Sequence, residues 1–528
     1  MKALSTFIIS ILFTSALYAQ PTIKWQHAYG GSGDEGAYDI KPAVNGGFIF
    51  CGQTNSTDGD VVAPGFGSTD YWVCRIDSNG NILWERSYGG EGSDGADVIL
   101  NVGNGYIIGG NIYPVSDSIY GGEVTGAHGS DDIWVIKTDT AGTLLWQKAY
   151  GGSSFDDIDN MKATSDGGYI FVADTHSTDG DITFNHGGVS DIWVVKINDT
   201  GKIIWQRCYG GSLNDFGDDI IQTLDGGYLV TAHTSSTDGD MTGITNRGNT
   251  DAWLIKIDDT GAIVWQKTYG GSEIDEPNSI IQANDGGYII GAGTNSSDFD
   301  IDDYTTGDGF DVWVYKVDST GTLLWSKTYG GTGDDELTKI ISTTDSNYIF
   351  CGSTSSLDGD VTGTHGTNYD YWTVKLNDTG KIAWQKTLGG TYIDHGYAIT
   401  PCDDSSYIVA GYTESVDGDV TGNHGGSDAW LVRLGYTDTT TRVVTVNNAA
   451  DIQVYPTLSS GIVYVVVPTG YSAAKISLIN TLGQQMPFAE SVNGNEHVID
   501  LSGNSTGMYI VRVSYNGVVR DVKVMYRK

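Results

Sequence analysis

The side chains best equipped for chemistry in this chain are carboxylates that recur in short loops. Six loops carry two acids one residue apart: Asp58/Asp60, Asp179/Asp181, Asp238/Asp240, Asp298/Asp300, Asp358/Asp360 and Asp417/Asp419. Glycine separates the two acids in every loop but one, where Phe299 stands between Asp298 and Asp300. A further acid precedes the apolar run after each loop, at Asp70, Asp191, Asp251, Asp311, Asp370 and Asp428. A seventh copy has Glu123 in place of the pair and keeps the later acid as Asp132. Oxygen-rich loops with flexible glycines suit a hard cation such as calcium, which takes ~6–8 oxygen ligands. Calcium is therefore the candidate cofactor. Its candidate ligands are Asp58, Asp60, Asp70, Asp179, Asp181, Asp191, Asp238, Asp240, Asp251, Asp358, Asp360, Asp370, Asp417, Asp419 and Asp428. The competing role is plainer, because Asp also caps turns by accepting backbone amides. Two or three carboxylates per loop fall short of a full shell, so carbonyls and water would have to complete it.

Four of the loops add a histidine before glycine, at His128, His186, His365 and His424. Asp with His can hold zinc or copper, but each of these sits in a separate repeat and they are not expected to converge. Asp34, Asp156, Asp215, Asp275, Asp334 and Asp394 follow a Gly-Gly pair and are read as part of the connections between repeats, making one face densely acidic. No repeat carries a distinctive residue pair absent from its siblings. A catalytic site breaks symmetry, so no catalytic residue is assigned.

The elements that carry these loops are strands. The chain has 528 residues and 14 tryptophans, and the tryptophans occupy two positions of one repeat. One set is Trp72, Trp134, Trp193, Trp253, Trp313, Trp372 and Trp430; the other is Trp25, Trp84, Trp146, Trp205, Trp265, Trp325 and Trp384. Residues 215–269 show the unit: strands at Asp218–Thr223, Tyr228–Thr234, Asp251–Ile257 and Ala262–Tyr269, with turns at Asp225-Gly226-Gly227 and Asp258–Gly261. Four strands per ~60 residues, repeated, is the blade of a β-propeller. Trp25 and Trp430 are halves of a seventh pair split by the ends of the repeat region, as a closed ring requires. The fold expected is thus all-β, a seven-bladed β-propeller of four-stranded blades closed by the N-terminal strand. The tryptophans are expected to pack between blades rather than to form ligand platforms.

Formal net charge is −38. The last 78 residues are nearly balanced, so the acidity belongs to the repeats, which should repel nucleic acid and anionic membranes. Residues 1–19 read as a signal peptide, with Lys2, an apolar stretch from Phe7 to Phe13 and cleavage after Ala19. No later run approaches the ~20 apolar residues of a transmembrane segment. Of the five cysteines, Cys51 and Cys74 lie on neighbouring expected strands and are the one pair placed to bond. The alternative, that all five are small buried hydrophobes, is the favoured reading.

Segments such as Tyr29-Gly30-Gly31-Ser32-Gly33-Asp34 and Tyr329-Gly330-Gly331-Thr332-Gly333-Asp334, with the later Gly291-Ala292-Gly293-Thr294, resemble a bacterial seven-bladed β-propeller repeat family. That resemblance implies architecture and no activity. After a linker at 436–450 the composition changes. Val454-Tyr455-Pro456, Ile476–Gln484, His497–Leu501, Thr506–Val511 and the basic end Val522–Lys528 resemble the type A C-terminal sorting domain of the Bacteroidetes type IX secretion system. The opening motif departs from the usual Tyr-Pro-Asn-Pro at Thr457-Leu458. The resemblance implies a small β-sandwich over 451–528 that engages the type IX secretion machinery, with the propeller over 20–435 released or held at the outer cell surface. The function expected is a secreted or cell-surface binding or structural module for extracellular glycan or protein. The alternative is an extracellular polysaccharide-active enzyme using the acidic face.

Overall fold

The computed structural model describes residues 20–114, 121–302, 304, 309–402 and 405–436, and most of 453–526. The expected signal peptide and nearly all of the expected linker lie outside the described residues. The chain divides into two compact units, Met1–Thr437 and Asp438–Lys528.

Unit one contains seven four-stranded antiparallel sheets, each built from strands consecutive in sequence except one. The exception combines Asp394–Pro401, Tyr407–Thr413 and Asp428–Gly435 with the N-terminal strand Thr22–Tyr29. There the register runs from Thr22 opposite Gly435 to Tyr29 opposite Ala429. The seven-bladed propeller is therefore closed by pairing the two ends of the repeat region.

Sheets with two apolar faces must bury both, and the ring lets them do so. Seven apolar clusters occur in this unit, one at each junction between neighbouring blades, including the closing one. All seven tryptophans of the first set are fully buried. Each removes roughly 150–250 Å² from water, on the order of 4–6 kcal/mol of transfer free energy before ordering costs. Each indole N–H is also satisfied by the fourth strand beside it, as in Trp193 to Gln206 Oε1 at 2.6 Å. The closing blade repeats this bond across the whole repeat region, Trp430 Nε1 to Gln26 Oε1 at 2.7 Å.

The second tryptophan set and the tyrosine that ends six of the seven fourth strands tie a blade to the next. Trp146 donates to Asp199 O at 3.2 Å, and Tyr150 donates to Gly201 O at 2.5 Å. The last junction lacks the receiving hairpin, and there Trp384 Nε1 donates to Tyr436 Oη at 2.9 Å instead. The tryptophans thus serve packing. The cysteines are free thiols, four of them buried. Cys51 and Cys74 lie on opposite faces of one blade, in different interblade clusters, so they cannot bond.

Unit two packs a four-stranded and a five-stranded sheet around Val463, Val465, Ile476, Leu478, Ile499, Val511, Val513 and Val524. This is the expected β-sandwich.

If ring closure carries the propeller, deleting residues 20–31 should expose Asp428–Gly435 as an unpaired edge. The full chain should then melt lower and more broadly and should self-associate by light scattering. A monomer with unchanged melting would show that the ring holds without its closing strand.

Candidate functional site

Two acidic systems meet at each blade junction. In the loops, the first acid of each pair accepts the amide of the residue after Gly-Gly. Asp58 takes Ser32 N at 2.7 Å, Asp238 takes Ser212 N at 2.7 Å and Asp417 takes Thr391 N at 2.8 Å. The amide of the second acid donates to the first glycine carbonyl, as in Asp60 N to Gly30 O at 2.8 Å. Glu123 keeps that bond with Gly89 O at 2.9 Å, so the divergent second blade folds the same way. These loop carboxylates fasten the turn to the blade connection. Among the described residues no group of three or more His, Cys, Asp or Glu is placed to hold a metal ion. His186 and His365 reach across to the next blade, with Nε2 3.3 Å from Asp240 and 3.5 Å from Asp419.

The acid before each third strand is buried. Asp191 Oδ2 accepts His186 N at 2.7 Å, while its buried Oδ1 has no hydrogen-bond partner. Opposite stands the first residue of the next blade's inner strand, here Asp215. Its carboxylate accepts Gly211 N at 2.8 Å, Ser236 Oγ at 2.7 Å and the Thr234 hydroxyl. The two carboxylates flank Gly210, where a Cβ would lie 2.1 Å from Asp191 Oδ1 and 2.9 Å from Asp215 Oδ2 at a φ of +156°. That is why the repeat needs glycine there. Burial, with repulsion from Asp215 and Asp240, pushes Asp191 up to about 7. Asp94, the second blade's counterpart of Asp215, also rises to about 7 through burial, with Asp70 adding to it.

This placement corrects one expectation. Asp156, Asp215, Asp275 and Asp394 do not decorate an acidic face; each begins an inner strand and is fully buried. A Gly-Gly-x-x-x-Asp sequence reads as turn, whereas the Asp is held inside by Thr, Ser and glycine amide donors.

The inner strands hold a second surprise. Each contains a β-bulge, and the extra residues are Tyr38, Asp97, Asp159, Asp218, Asn278, Thr338 and Tyr397. A bulge re-aims one side chain out of the ladder. All seven line a central channel of about 440 Å³. The channel is lopsided. Asp97, Asp159 and Asp218 come from three successive blades, while Tyr38 and Tyr397 meet edge to face, ring centres 5.1 Å apart, from the first and last. Asn278 and Thr338 separate the two arcs and also line an adjoining pocket of about 410 Å³ with Phe310, Tyr369, Glu276 and Glu336.

The acidic arc is backed by more charge. Asn111 Nδ2 donates to Asp97 Oδ2 at 3.2 Å, and Gly217 N donates to Asp174 Oδ1 at 2.7 Å. His233 Nδ1 lies 3.1 Å from Asp218, with its ring stacked on Phe216. Asp157 Oδ1 and Asp159 Oδ2 are buried without a partner. Burial, with repulsion from Asp157, lifts Asp97 to about 8. Burial and neighbouring carboxylates raise Asp159 and Asp174 well above the usual range. Burial raises Asp218 to about 6 against the pull of His233; burial works to lower His233, but Asp218 outweighs it and holds the imidazole at about 9. Behind the aromatic arc, the His395 ring lies 4.9 Å from Tyr397, and its Nε2 is 2.9 Å from Glu336.

Beside this layer three lysines neutralise two buried acids. Lys162 Nζ lies 2.8 Å and Lys339 Nζ 3.3 Å from Asp219, and Lys41 pairs with Asp39. Burial would raise Asp219, but the two ammonium groups hold it at about 2.

The expectation that no repeat carries a distinctive residue pair overlooks the bulge, where single residues set the repeats apart. There the repeats differ, and the signal in sequence was the residue three positions after the buried inner-strand acid. That position is Tyr38, Asp97, Asp159, Asp218, Asn278, Thr338 and Tyr397 around the ring, and the residues on either side of it vary as well.

Fold and tail together define an exported β-propeller. Residues 453–526 match the family described as the secretion system C-terminal sorting domain. The C-terminal unit is thus a type IX sorting domain, which directs a protein to secretion or to the outer surface. Among the described residues no helix is long and apolar enough to cross a membrane. The WD40 domain of Neurospora crassa Pan2 is similar at 11% identity, covering 78% of this chain and 95% of that one with a TM-score of 0.42. A thermostable family-43 glycoside hydrolase is 10% identical over 56% of this chain and 92% of its own, with a TM-score of 0.29. An endo-1,4-beta-xylanase from Bacteroides thetaiotaomicron is 11% identical over 56% and 96%, with a TM-score of 0.29. No curated protein matches the chain.

Two measurements follow. With the loop carboxylates engaged by backbone amides, millimolar calcium and chelator should give the same melting temperature. A rise with calcium would mean that the loops reorganise around an ion. For Asp97, the folded value near 8 lies above the unfolded ~3.9, so the protonated form is stabilised and stability is lost as pH rises through 8. Asp97→Asn should therefore gain about 1 kcal/mol on wild type between pH 7 and 9 in denaturant titrations.

Proposed function

We propose that this protein is an extracellular binding module, delivered by its sorting tail, whose ligand enters the central channel. In this reading residues 20–435 are the delivered propeller, 436–450 the linker and 451–528 the tail. The observation that carries it is the lopsided ring of bulge residues. All seven side chains line the channel, although Tyr38 and Tyr397 also pack on each other across a blade junction. A cavity of this size with a few convergent polar groups and carboxyls of raised pKa has the character of a ligand site. The glycans and proteins of the extracellular space are the ligands available there.

A second reading has its own support. Asp97 near 8 and Asp218 near 6 are carboxyls whose environments set them apart, as an acid and base acting on an extracellular polysaccharide would need. Panels of soluble polysaccharides and matrix proteins, tested with the full chain, separate the two. The binding reading expects retention without product, weakened at least tenfold by Tyr397→Ala and unchanged by the exposed control Asp259→Asn. Reducing ends released by wild type, and lost in both Asp97→Asn and Asp218→Asn, would establish the enzyme. Retention insensitive to every channel substitution would move the site elsewhere.

A further inference from the structure

Resting on the channel as the binding site, we propose that its ligand is an organic cation, a primary alkylammonium whose charged end sits against Asp97, Asp159 and Asp218 and whose apolar stem lies on Tyr38 and Tyr397. The argument begins with the unpaired oxygens. Asp159 lines the cavity with Oδ2 buried and without a partner, and Asp157 Oδ1 behind it is in the same state. A buried carboxylate oxygen left without a donor is costly, and an ammonium brings three donors and no acceptor. Three carboxyls from successive blades present one acceptor group each to a compact charge at the channel wall.

The opposite wall selects the rest of the ligand. Tyr38 and Tyr397 bring aromatic rings to the channel, and His395 and Tyr412 back them, their rings stacked 6.0 Å apart. An inorganic cation needs oxygen on all sides, ~6–8 ligands for calcium, and the aromatic arc cannot supply it. An alkylammonium needs acceptors at one end and apolar contact along its stem, with the ring faces favouring positive charge as well. Lys339 and Asp39 line the channel as well, and there the Lys339 ammonium, shared with Lys162, is directed to Asp219 while Lys41 pairs with Asp39. The adjoining pocket, with Phe310, Tyr369, Glu276 and Glu336, continues the same pairing of aromatic and acidic side chains for a longer ligand. The raised carboxyls of Asp97 and Asp159 fit this as well, because an arriving cation favours their ionised form and releases protons.

Isothermal titration of the full chain with cadaverine at pH 7.5 tests the proposal. Wild type should bind, with a heat that varies with the ionisation enthalpy of the buffer because protons are released. Asp159→Asn and Tyr397→Ala should each weaken binding at least tenfold, and Asp259→Asn should not change it. Nα-acetyl-lysine N-methylamide carries the same ammonium on a peptide unit. Equal affinity for it identifies a lysine side chain as a sufficient ligand, and a clear preference for cadaverine identifies the free amine. Asp97→Asn serves as an independent acidic-arc variant should Asp159→Asn fail to fold by circular dichroism. No amine binding by wild type overturns the proposal, as does amine binding that survives folded acidic-arc variants. Uptake of calcium chloride alone, lost in the same variants, also overturns it in favour of an inorganic cation. A neutral saccharide that binds in a Tyr397-dependent way while cadaverine does not would refute the ammonium and keep the channel. Wild-type binding of amine or saccharide that no channel substitution affects would remove both.

Discussion

Everything in the propeller depends on closing the ring. Each blade has two apolar faces, and each face finds its partner only in the next blade. An open arc would leave two sheet faces and a strand edge in water. The pairing of Thr22–Tyr29 with Asp428–Gly435 removes all three at once, joining residues more than 400 positions apart. Contacts at that separation carry a large loop-closure entropy. The Trp430 bond to Gln26 and the tryptophan surface buried at the last junction offset it.

Closure also fixes where variation is permitted. The face-to-face positions are held by packing, so the seven first-set tryptophans are identical. The loop positions are held by amide donors, so the Asp-Gly-Asp pattern recurs. The bulge residue is held by neither. It points into a channel that any ring must leave at its axis, and its identity can follow the ligand. The junction carboxyls are a different compromise. Asp191 and Asp215 sit together because each satisfies backbone on its own side, and burial with repulsion from Asp215 raises Asp191 to about 7.

Much of this was legible in sequence because repetition multiplies weak signals. The second and third strands of the fourth blade lie at Tyr228–Thr234 and Asp251–Ile257, as alternation and turn glycines indicate. The inner strand begins at Asp215 rather than Asp218, since no local pattern says that an acid after Gly-Gly goes inside. That offset hid the channel. Read from Asp218, the strand has no bulge and its first acid is merely the end of a turn. Read from Asp215, it has one extra residue, and the same register exposes the odd position in all seven repeats. The missing information was tertiary: the Thr234 and Ser236 hydroxyls that hold Asp215 lie on the neighbouring strand and the loop beyond it.

Symmetry is therefore informative in two directions. Where seven copies agree, the agreement reports on the fold, and averaging over repeats sharpens it. Where they disagree, as along the inner strands, averaging erases the difference. Three acids on adjacent blades and two tyrosines facing them are not a gradual drift of sequence around the ring. They cluster by blade, so the channel has a direction, acidic along one arc and aromatic along another. A spacer would gain nothing from such a lopsided channel and would carry the cost of buried carboxyls that repel one another. That standing electrostatic cost, in a protein otherwise economical in its repetition, is the physical ground for proposing that the channel takes a ligand.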